Sequence, residues 1–369
     1  MGYRVAILDP DPDCPAAAVA DRLIVGAYDD VGAALRLADV SAVVTYELEH
    51  VASAVVDALE DLDRRLPVRP GRFPLVSTQD RIAERRFIEG AGGAVAPWRE
   101  VRTQDDLRTA ADALGLPLRL KVVTGGYDGR SQLRIAMPAE LDGAITRLGR
   151  PAGSPAVSPA GSPLLAEREL TFRAELSVVV ARGVDGETDA YPIARNVHDA
   201  GILVESVAPA PIPDEVAERA TQVGLDLAIA MNLCGTLTAE LFWLADGSIV
   251  VNELAPRVHN SGHWTLDGAE TSQFEQHIRA ITGLGLGSTA ALAPTAVVNL
   301  LGTGPLRAAQ LMGVGKALAD PSVHLHLYDK RLVFERRKMG HVSALGPDVD
   351  VALERARAAR AALSWEGEA

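Results

Sequence analysis

Apolar and polar positions along the chain alternate between two periods, and the switch points outline its elements. Tyr3–Leu8 is a short β-rich run that stops at Asp9-Pro-Asp-Pro-Asp13, where prolines at alternate positions end a strand. A helical stretch near Ala16–Arg22, a strand at Leu23–Val25, a helix near Asp30–Ala38 and a strand at Ala42–Tyr46 follow. Strands alternating with helices predict βαβ units and a parallel sheet. Thr78–Gly90 reads as one capped, strongly charged helix. Further on, the pattern predicts a helix at Asp105–Leu114, strands at Leu118–Val123 and Gln132–Ile135 around a glycine turn, and strands at Leu164–Glu167 and Ala174–Arg182. Gly149–Pro163, rich in Pro, Ser, Gly and Ala, reads as an exposed loop. Helices are expected at Pro213–Asn232 and Gln273–Thr282. From about Leu292 the chain is strand-rich and ends in an Ala/Arg helix, Val351–Leu363.

With 369 residues and a 48% apolar share, the chain has material for two to three packed domains. A net charge of −13 argues against a general nucleic-acid or membrane-surface binder. Two cysteines, Cys14 and Cys234, are too few for a disulfide framework or a structural zinc site, so a reducing cytoplasm is expected. No apolar run approaches the ~18 residues of a membrane helix, and the N-terminus lacks a signal-peptide layout.

The segment TAELFWLADGSIVVNEL carries the most local information. Asp246-Gly247 between apolar runs predicts a two-residue hairpin turn, which sets Glu240 opposite Glu253 with Cβ atoms about 5 Å apart. Two ionised carboxylates at that distance repel by roughly 3 kcal/mol at an effective dielectric near 20. The neighbours Phe242, Leu244, Ile249 and Val251 are apolar, so water is a poor rescuer. Either one carboxylate is protonated or a cation lies between them, and oxygen-only ligands favour Mg²⁺ or Mn²⁺ over zinc. Asn252 becomes a further ligand if the strand bends there.

A second group suits phosphate. Lys121 closes a strand ahead of Gly125-Gly126-Tyr127-Asp128-Gly129-Arg130, a turn whose backbone N–H groups can approach phosphate oxygens. It is not a Walker loop. Arg257, His259 and Asn260, just after the acidic strand, form a polar loop able to hold an anion or polarise a carbonyl oxygen. Lys330–Lys338 (KRLVFERRK) concentrates five basic residues and one acid in an acidic protein, as a phosphate clamp would.

LKVVTGGYDGRSQ, AELFWLADGSIVVNELAPRVHNSGHWTLDGAETSQFEQHIRAITGLGLG, VVNLLG, HLYDK and RRKMGH together resemble the 5-(carboxyamino)imidazole ribonucleotide synthase family of ATP-grasp ligases. The resemblance implies an α/β and α+β fold. A truncated Rossmann-like pre-ATP-grasp domain would span 1–78, an ATP-grasp domain 79–290 with a mobile lid at about 106–172, and a small strand-rich C-terminal domain 291–369. By that resemblance it would be truncated, since the family's first strand and G-G-G-Q-L-G-R-type loop precede the strand that opens this sequence. The implied substrates are ATP, bicarbonate and 5-aminoimidazole ribonucleotide, and the implied assembly is a cytoplasmic homodimer. By the same resemblance, Glu240, Glu253 and Asn252 hold Mg²⁺ (or Mn²⁺). Arg81, Lys121, Gly126, Gly129, Gln132, Glu167, Arg168, Leu170 and Glu175 bind ATP, and Tyr127, Asp128, Arg337 and Lys338 bind the ribonucleotide. Arg257, His259, Asn260 and Lys330 surround the bicarbonate and the reacting amine. A formate-using ribonucleotide transformylase of the same architecture, and a nucleotide-binding protein without ordinary turnover, are the alternatives.

Overall fold

A computed structural model describes residues 1–62, 66–125, 131–148 and 162–367. The front of the chain pairs strands in parallel, β1 (Ala6–Asp9) with β2 (Arg22–Val25). Helix α1 (Val31–Ala38) follows, its first turn capped by the Asp30 carboxylate accepting from the Ala33 N–H. β3 (Val44–Thr45), α2 (Ser53–Glu60) and β4 (Val68–Arg69) complete a second parallel pair, with Val44 opposite Val68. Ala34, Ala38, Val44, Val55, Val56, Leu59 and Leu75 fill the core between them. The expected helix at Ala16–Arg22 is only a 3₁₀ turn, Pro15–Ala18. Its three alanines present no buried face that would extend it.

The charged stretch expected as a single helix is the end of one and the whole of another. α3 (Arg72–Gln79) stops at Asp80, whose backbone is extended, and α4 (Arg81–Gly90) starts there. Asp80, not Thr78, is the cap: its carboxylate accepts from the N–H groups of Ile82 and Ala83.

Four antiparallel strands make the next layer, in the order β5 (Trp98–Val101), β8 (Leu164–Arg168), β6 (Leu118–Val122), β7 (Gln132–Ile135). Between them in sequence lie α5 (Gln104–Leu114), opened by a Thr103/Asp106 capping box, and the short α6 (Ala144–Leu148). Leu118, Leu120 and Val122 alternate into a core with Leu107, Ala110 and Leu114, which turns Lys121 to the other face.

The largest sheet has nine strands. In chain order they are β9 (Phe172–Arg182), β10 (Thr188–Ala190), β11 (Ala194–Asp199), β12 (Ile202–Ala208), β13 (Gly235–Leu244), β14 (Ile249–Ala255), β15 (Thr295–Leu301), β18 (Val323–Leu327) and β20 (Lys338–Leu345). In space they run β14-β13-β9-β11-β12-β15-β20-β18, with β10 pairing beside β9. α7 (Asp214–Ala230) packs on β9 and β13, closely enough that a Cβ on Gly224 would stand 2.6 Å from Val178. α8 (Thr265–Gly268) and α9 (Gln273–Thr282) follow β14. Among the last strands, β16 (Arg307–Ala308) pairs with β19 (Leu332–Val333), and β17 (Leu311–Met312) with β21 (Ser364–Trp365). The long α11 (Val349–Ala361) packs on β15 and β20, and the short α10 (Val314–Ala317) packs on α11. The C-terminal strands therefore have their own core, with Ala352, Leu353 and Ala356 of α11, yet β15 bonds directly to β12 and extends the central sheet. Among the described residues, no helix is long and apolar enough to cross a membrane.

Candidate active site

Glu240 and Glu253 pair across β13 and β14. The turn between them is not the expected two-residue one. Leu244 donates to the Ser248 carbonyl (2.9 Å), so Ala245, Asp246 and Gly247 form a three-residue loop, with Gly247 in the left-handed region (φ 88°). That loop shifts the first pairs by one: Trp243 meets Ile249 and Leu241 meets Val251. A bulge at Asn252 then inserts one residue and returns Glu253 to a position opposite Glu240.

Water reaches the pair unequally, against the expectation that apolar neighbours seal both. The Glu240 side chain is 21% exposed, whereas Glu253, on the edge strand, is 49% exposed. Burial and the facing Glu253 charge push Glu240 up to about 7, partly offset by His198 and by a hydrogen bond from Asn252. Burial also works against the charge of Glu253, but Arg81 (3.3 Å) and Lys121 outweigh it and hold this carboxyl below its usual range.

Two residues not singled out in the sequence organise this strand. Arg85, fully buried on α4, donates to the Asn252 carbonyl (2.7 Å), to Glu84 (3.0 Å) and to Glu167 (2.9 Å). Glu84 accepts from the Leu254 N–H (2.8 Å). The backbone on both sides of Glu253 is thus held by one buried ion pair. The signal was legible in principle: Ile82, Arg85 and Ile88 form an i, i+3 stripe on the buried face, with an arginine in its middle.

Glu167 also takes the Lys121 ammonium (2.5 Å). Burial alone would raise its pKa, yet Lys121 and Arg85 hold it down to about 2. Gln132 lies opposite Lys121 in the ladder. Arg168 turns away, donating to the Leu114 carbonyl (2.6 Å), and Leu170 follows just past β8. Glu175 contacts the His198 ring, itself raised against burial by that carboxylate and Glu240. Gly126, Tyr127, Asp128, Gly129 and Arg130, and residues 149–161 of the Pro/Ser-rich segment, lie outside the described residues.

The polar loop after β14 closes over Glu240. Gln273, fully buried at the start of α9, grips His259 by its N–H (3.0 Å) and carbonyl (2.7 Å). The Ser261 N–H donates to His259 Nδ1 (3.3 Å), which leaves the ring proton on Nε2, 3.5 Å from Glu240 Oε1. Burial, with Arg257 and Lys338 nearby, pulls this imidazole well below its usual range, so it is neutral. Both amide atoms of Asn260 are buried without a protein partner. Arg257 pairs with Glu49 (2.6 Å). Lys330 donates to the Lys338 carbonyl (2.8 Å), and the charge of Lys338 acts on His198, His259 and His263. Arg337 instead donates to Leu332 (2.6 Å) and stacks on Phe334.

Open space adjoins this set. A cleft of about 530 Å³ is lined by Tyr28, Asp29, His50, Ser53, Gln79 and Gly125 among others. A neighbouring one shares His50, Gln79 and Gly125 and reaches Arg81, Glu253 and Arg257. The front-domain lining was missed in the sequence. Its signal is YELEH, Tyr46–His50, at the carboxyl end of parallel strand β3, where open α/β sheets receive ligands.

Three family profiles match the chain: "ATP-grasp domain" over residues 86–274, "Ribonucleotide synthetase preATP-grasp domain" over 1–79 and "Phosphoribosylaminoimidazole carboxylase C-terminal domain" over 295–355. The N5-carboxyaminoimidazole ribonucleotide synthase of Bacillus subtilis is 40% identical over 93% of this chain and 85% of its own length. That of Brucella melitensis is 39% identical over 94% and 91%. Among solved structures, an ADP complex of an N5-carboxyaminoimidazole ribonucleotide synthetase superposes with a TM-score of 0.85 at 40% identity, covering 97% of this chain and 90% of that one. The Aspergillus clavatus synthase with ADP and 5-aminoimidazole ribonucleotide gives 0.85 at 29% identity, covering 98% and 92%.

Proposed function

The chain belongs to the N5-carboxyaminoimidazole ribonucleotide synthase family of ATP-grasp ligases, and from that premise we infer how its residues divide the reaction among them. It is an ATP-dependent ligase that carboxylates 5-aminoimidazole ribonucleotide to the N5-carboxyamino product in purine biosynthesis. We propose bicarbonate as the source of the carboxyl group. A bicarbonate oxygen attacks the γ-phosphorus, ADP leaves, and the resulting carboxyphosphate passes its carboxyl carbon to the amine as phosphate departs and the nitrogen loses a proton.

The observation that carries the residue reading is the Glu240–Glu253 pair across the bulged hairpin. Its donors are all oxygen, and burial with the charges of Glu253 and Glu175 pushes Glu240 up to about 7, with His198 and Asn252 offsetting only part of this. Mg²⁺ or Mn²⁺ fits there, held by Glu240 and Glu253 with Asn252 beside them. Among the described residues no cluster of three or more His, Cys, Asp or Glu surrounds one point. The remaining ligands would then be water and ATP oxygens, which is the habit of Mg²⁺. Such an ion would neutralise charge developing on the phosphoryl oxygens.

Arg81 and Lys121 would meet phosphate from the two sides of Glu253. Arg257, neutral His259, Asn260 and Lys330 would orient bicarbonate and the amine, with the unpartnered Asn260 amide as the best-supported contact. Lys338, whose charge acts on His198 and His259, and Arg337, which donates to the Leu332 carbonyl, would meet the ribonucleotide phosphate. These parts work by positioning and charge compensation, without a protein nucleophile. Free Cys14 and Cys234 support a cytoplasmic location, and the family resemblance supports a homodimer.

The test is ADP release from the purified chain. It should require 5-aminoimidazole ribonucleotide and bicarbonate together, with formate unable to replace bicarbonate. ADP release indifferent to either substrate, or sustained by formate, would overturn the bicarbonate reading.

A further inference from the structure

β14 is the edge of the nine-stranded sheet, so its outer backbone groups have no strand to bond. They are taken up instead by the segment around α4. The Val251 N–H donates to the Ala94 carbonyl (2.8 Å), the Asn252 carbonyl accepts from Arg85 (2.7 Å), and the Leu254 N–H donates to Glu84 (2.8 Å). Two of these three contacts flank Glu253, and one falls on the bulged residue itself.

The bulge decides which way Glu253 points. Without it, the pairing of Leu241 with Val251 would continue as Glu240 with Asn252, and Glu253 would turn to the opposite face. Arg85 also reaches Glu167 (2.9 Å), which holds Lys121 (2.5 Å). One guanidinium therefore joins the strand bearing Glu253 to the strand bearing Lys121. Arg85 is 0% exposed and does not line the open cleft, whereas Glu84, 1% exposed, reaches its lining beside Arg81 and Glu253.

We propose that Arg85, with Glu84, is a positioning residue of the ligase reaction: it holds the Asn252 bulge that turns Glu253 toward Glu240, and through Glu167 it fixes Lys121 relative to that pair. The proposal rests on the reading of Glu240 and Glu253 as the metal pair. A fork is required rather than a charge alone. Three acceptors in three directions are satisfied by Nε, Nη1 and Nη2, and a lysine ammonium on a shorter reach cannot serve all three.

Arg85→Lys tests this, assayed beside Glu253→Gln with kcat, the KM values for ATP and 5-aminoimidazole ribonucleotide, the Mg²⁺ concentration for half-maximal rate, and thermal unfolding. Arg85→Lys should raise the half-maximal Mg²⁺ concentration and lower kcat, each about tenfold, while the KM for the ribonucleotide changes less than about twofold. Glu253→Gln should abolish Mg²⁺-dependent turnover. An Arg85→Lys enzyme that only melts earlier, with the Mg²⁺ requirement and kcat per folded molecule unchanged, would overturn the proposal while leaving the metal pair standing. Glu253→Gln retaining Mg²⁺-dependent turnover would remove the metal reading and the proposal with it. If Arg85→Lys does not fold, Glu84→Gln carries the test. Its amide oxygen still accepts from Leu254, but its NH₂ cannot pair with Arg85. A raised Mg²⁺ requirement in it supports the proposal, and an unchanged one overturns it.

Discussion

Glu240 and Glu253 stand opposite each other because two irregularities cancel, a three-residue turn and a one-residue bulge at Asn252. The cost of this arrangement falls on Glu240, pushed up to about 7 by burial and by its partner. A carboxyl raised in the folded state contributes stability that is full below about 4.5 and lost as pH rises through about 7. Metal-free protein should therefore lose stability between pH 5 and 8, by at most roughly 3 kcal/mol on Glu240's account, with Glu84, raised in the same direction, adding to the trend. Mg²⁺ should raise the melting temperature clearly near pH 8 and little near pH 5. Glu240→Gln should weaken both dependences, and calorimetry with and without Mg²⁺ checks it.

Glu167 titrates in the other direction. Lys121 and Arg85 hold it down to about 2, so its contribution is present above about 4.5 and lost only as pH falls through about 2. Glu167→Gln takes the carboxylate from the buried Lys121 ammonium and leaves Arg85 with Glu84 alone, and should cost about 3–5 kcal/mol in urea unfolding. A loss below about 1 kcal/mol would show that the pair is not buried as described.

Neutral His259 gives a spectroscopic prediction. Burial and the neighbouring cations keep its imidazole uncharged, with the proton on Nε2. Its ring nitrogens should therefore show no titration from about pH 6 upward in ¹⁵N spectra, and the rate should not fall toward pH 6 through this group. A His259 midpoint near the ordinary 6.5 would contradict the geometry.

Tyr328 joins the C-terminal strands to the loop carrying His259. Its hydroxyl lies 3.0 Å from His263 Nδ1 and 2.8 Å from His341 Nδ1, and both imidazoles are held low by burial. Tyr328→Phe strands two buried ring nitrogens and should cost about 1–3 kcal/mol. Because Lys330 lies two residues on, kcat should also fall several-fold. Unchanged stability and kcat together would contradict the contact.

The chemistry of the site was legible because it is written in short segments. The acids of the hairpin, Lys121 before its glycines, and the Arg257–His259–Asn260 loop each sit within a dozen residues of the feature that identifies them. The strands at 118–122 and 132–135 were likewise readable, since alternation over half-buried strands is a local signal. The split of the charged helix at Asp80 was not, because α3 is held by packing of Leu75 and Val76 against the front domain's core rather than by its own pattern.

The facing of Glu240 and Glu253 marks the boundary between the two kinds of information. That two acids flank a tight turn between apolar runs, and so share a hairpin, is local and can be read from the residues alone. That they also share a face depends on contacts from outside the hairpin. The turn alone puts Glu253 one position out of register, and the bulge that corrects it is gripped by Arg85 and Glu84, 167 and 170 residues away from their backbone partners. An edge strand must find partners for its outer N–H and C=O groups wherever the fold brings them. Those partners then set the register, which no pattern inside the hairpin contains.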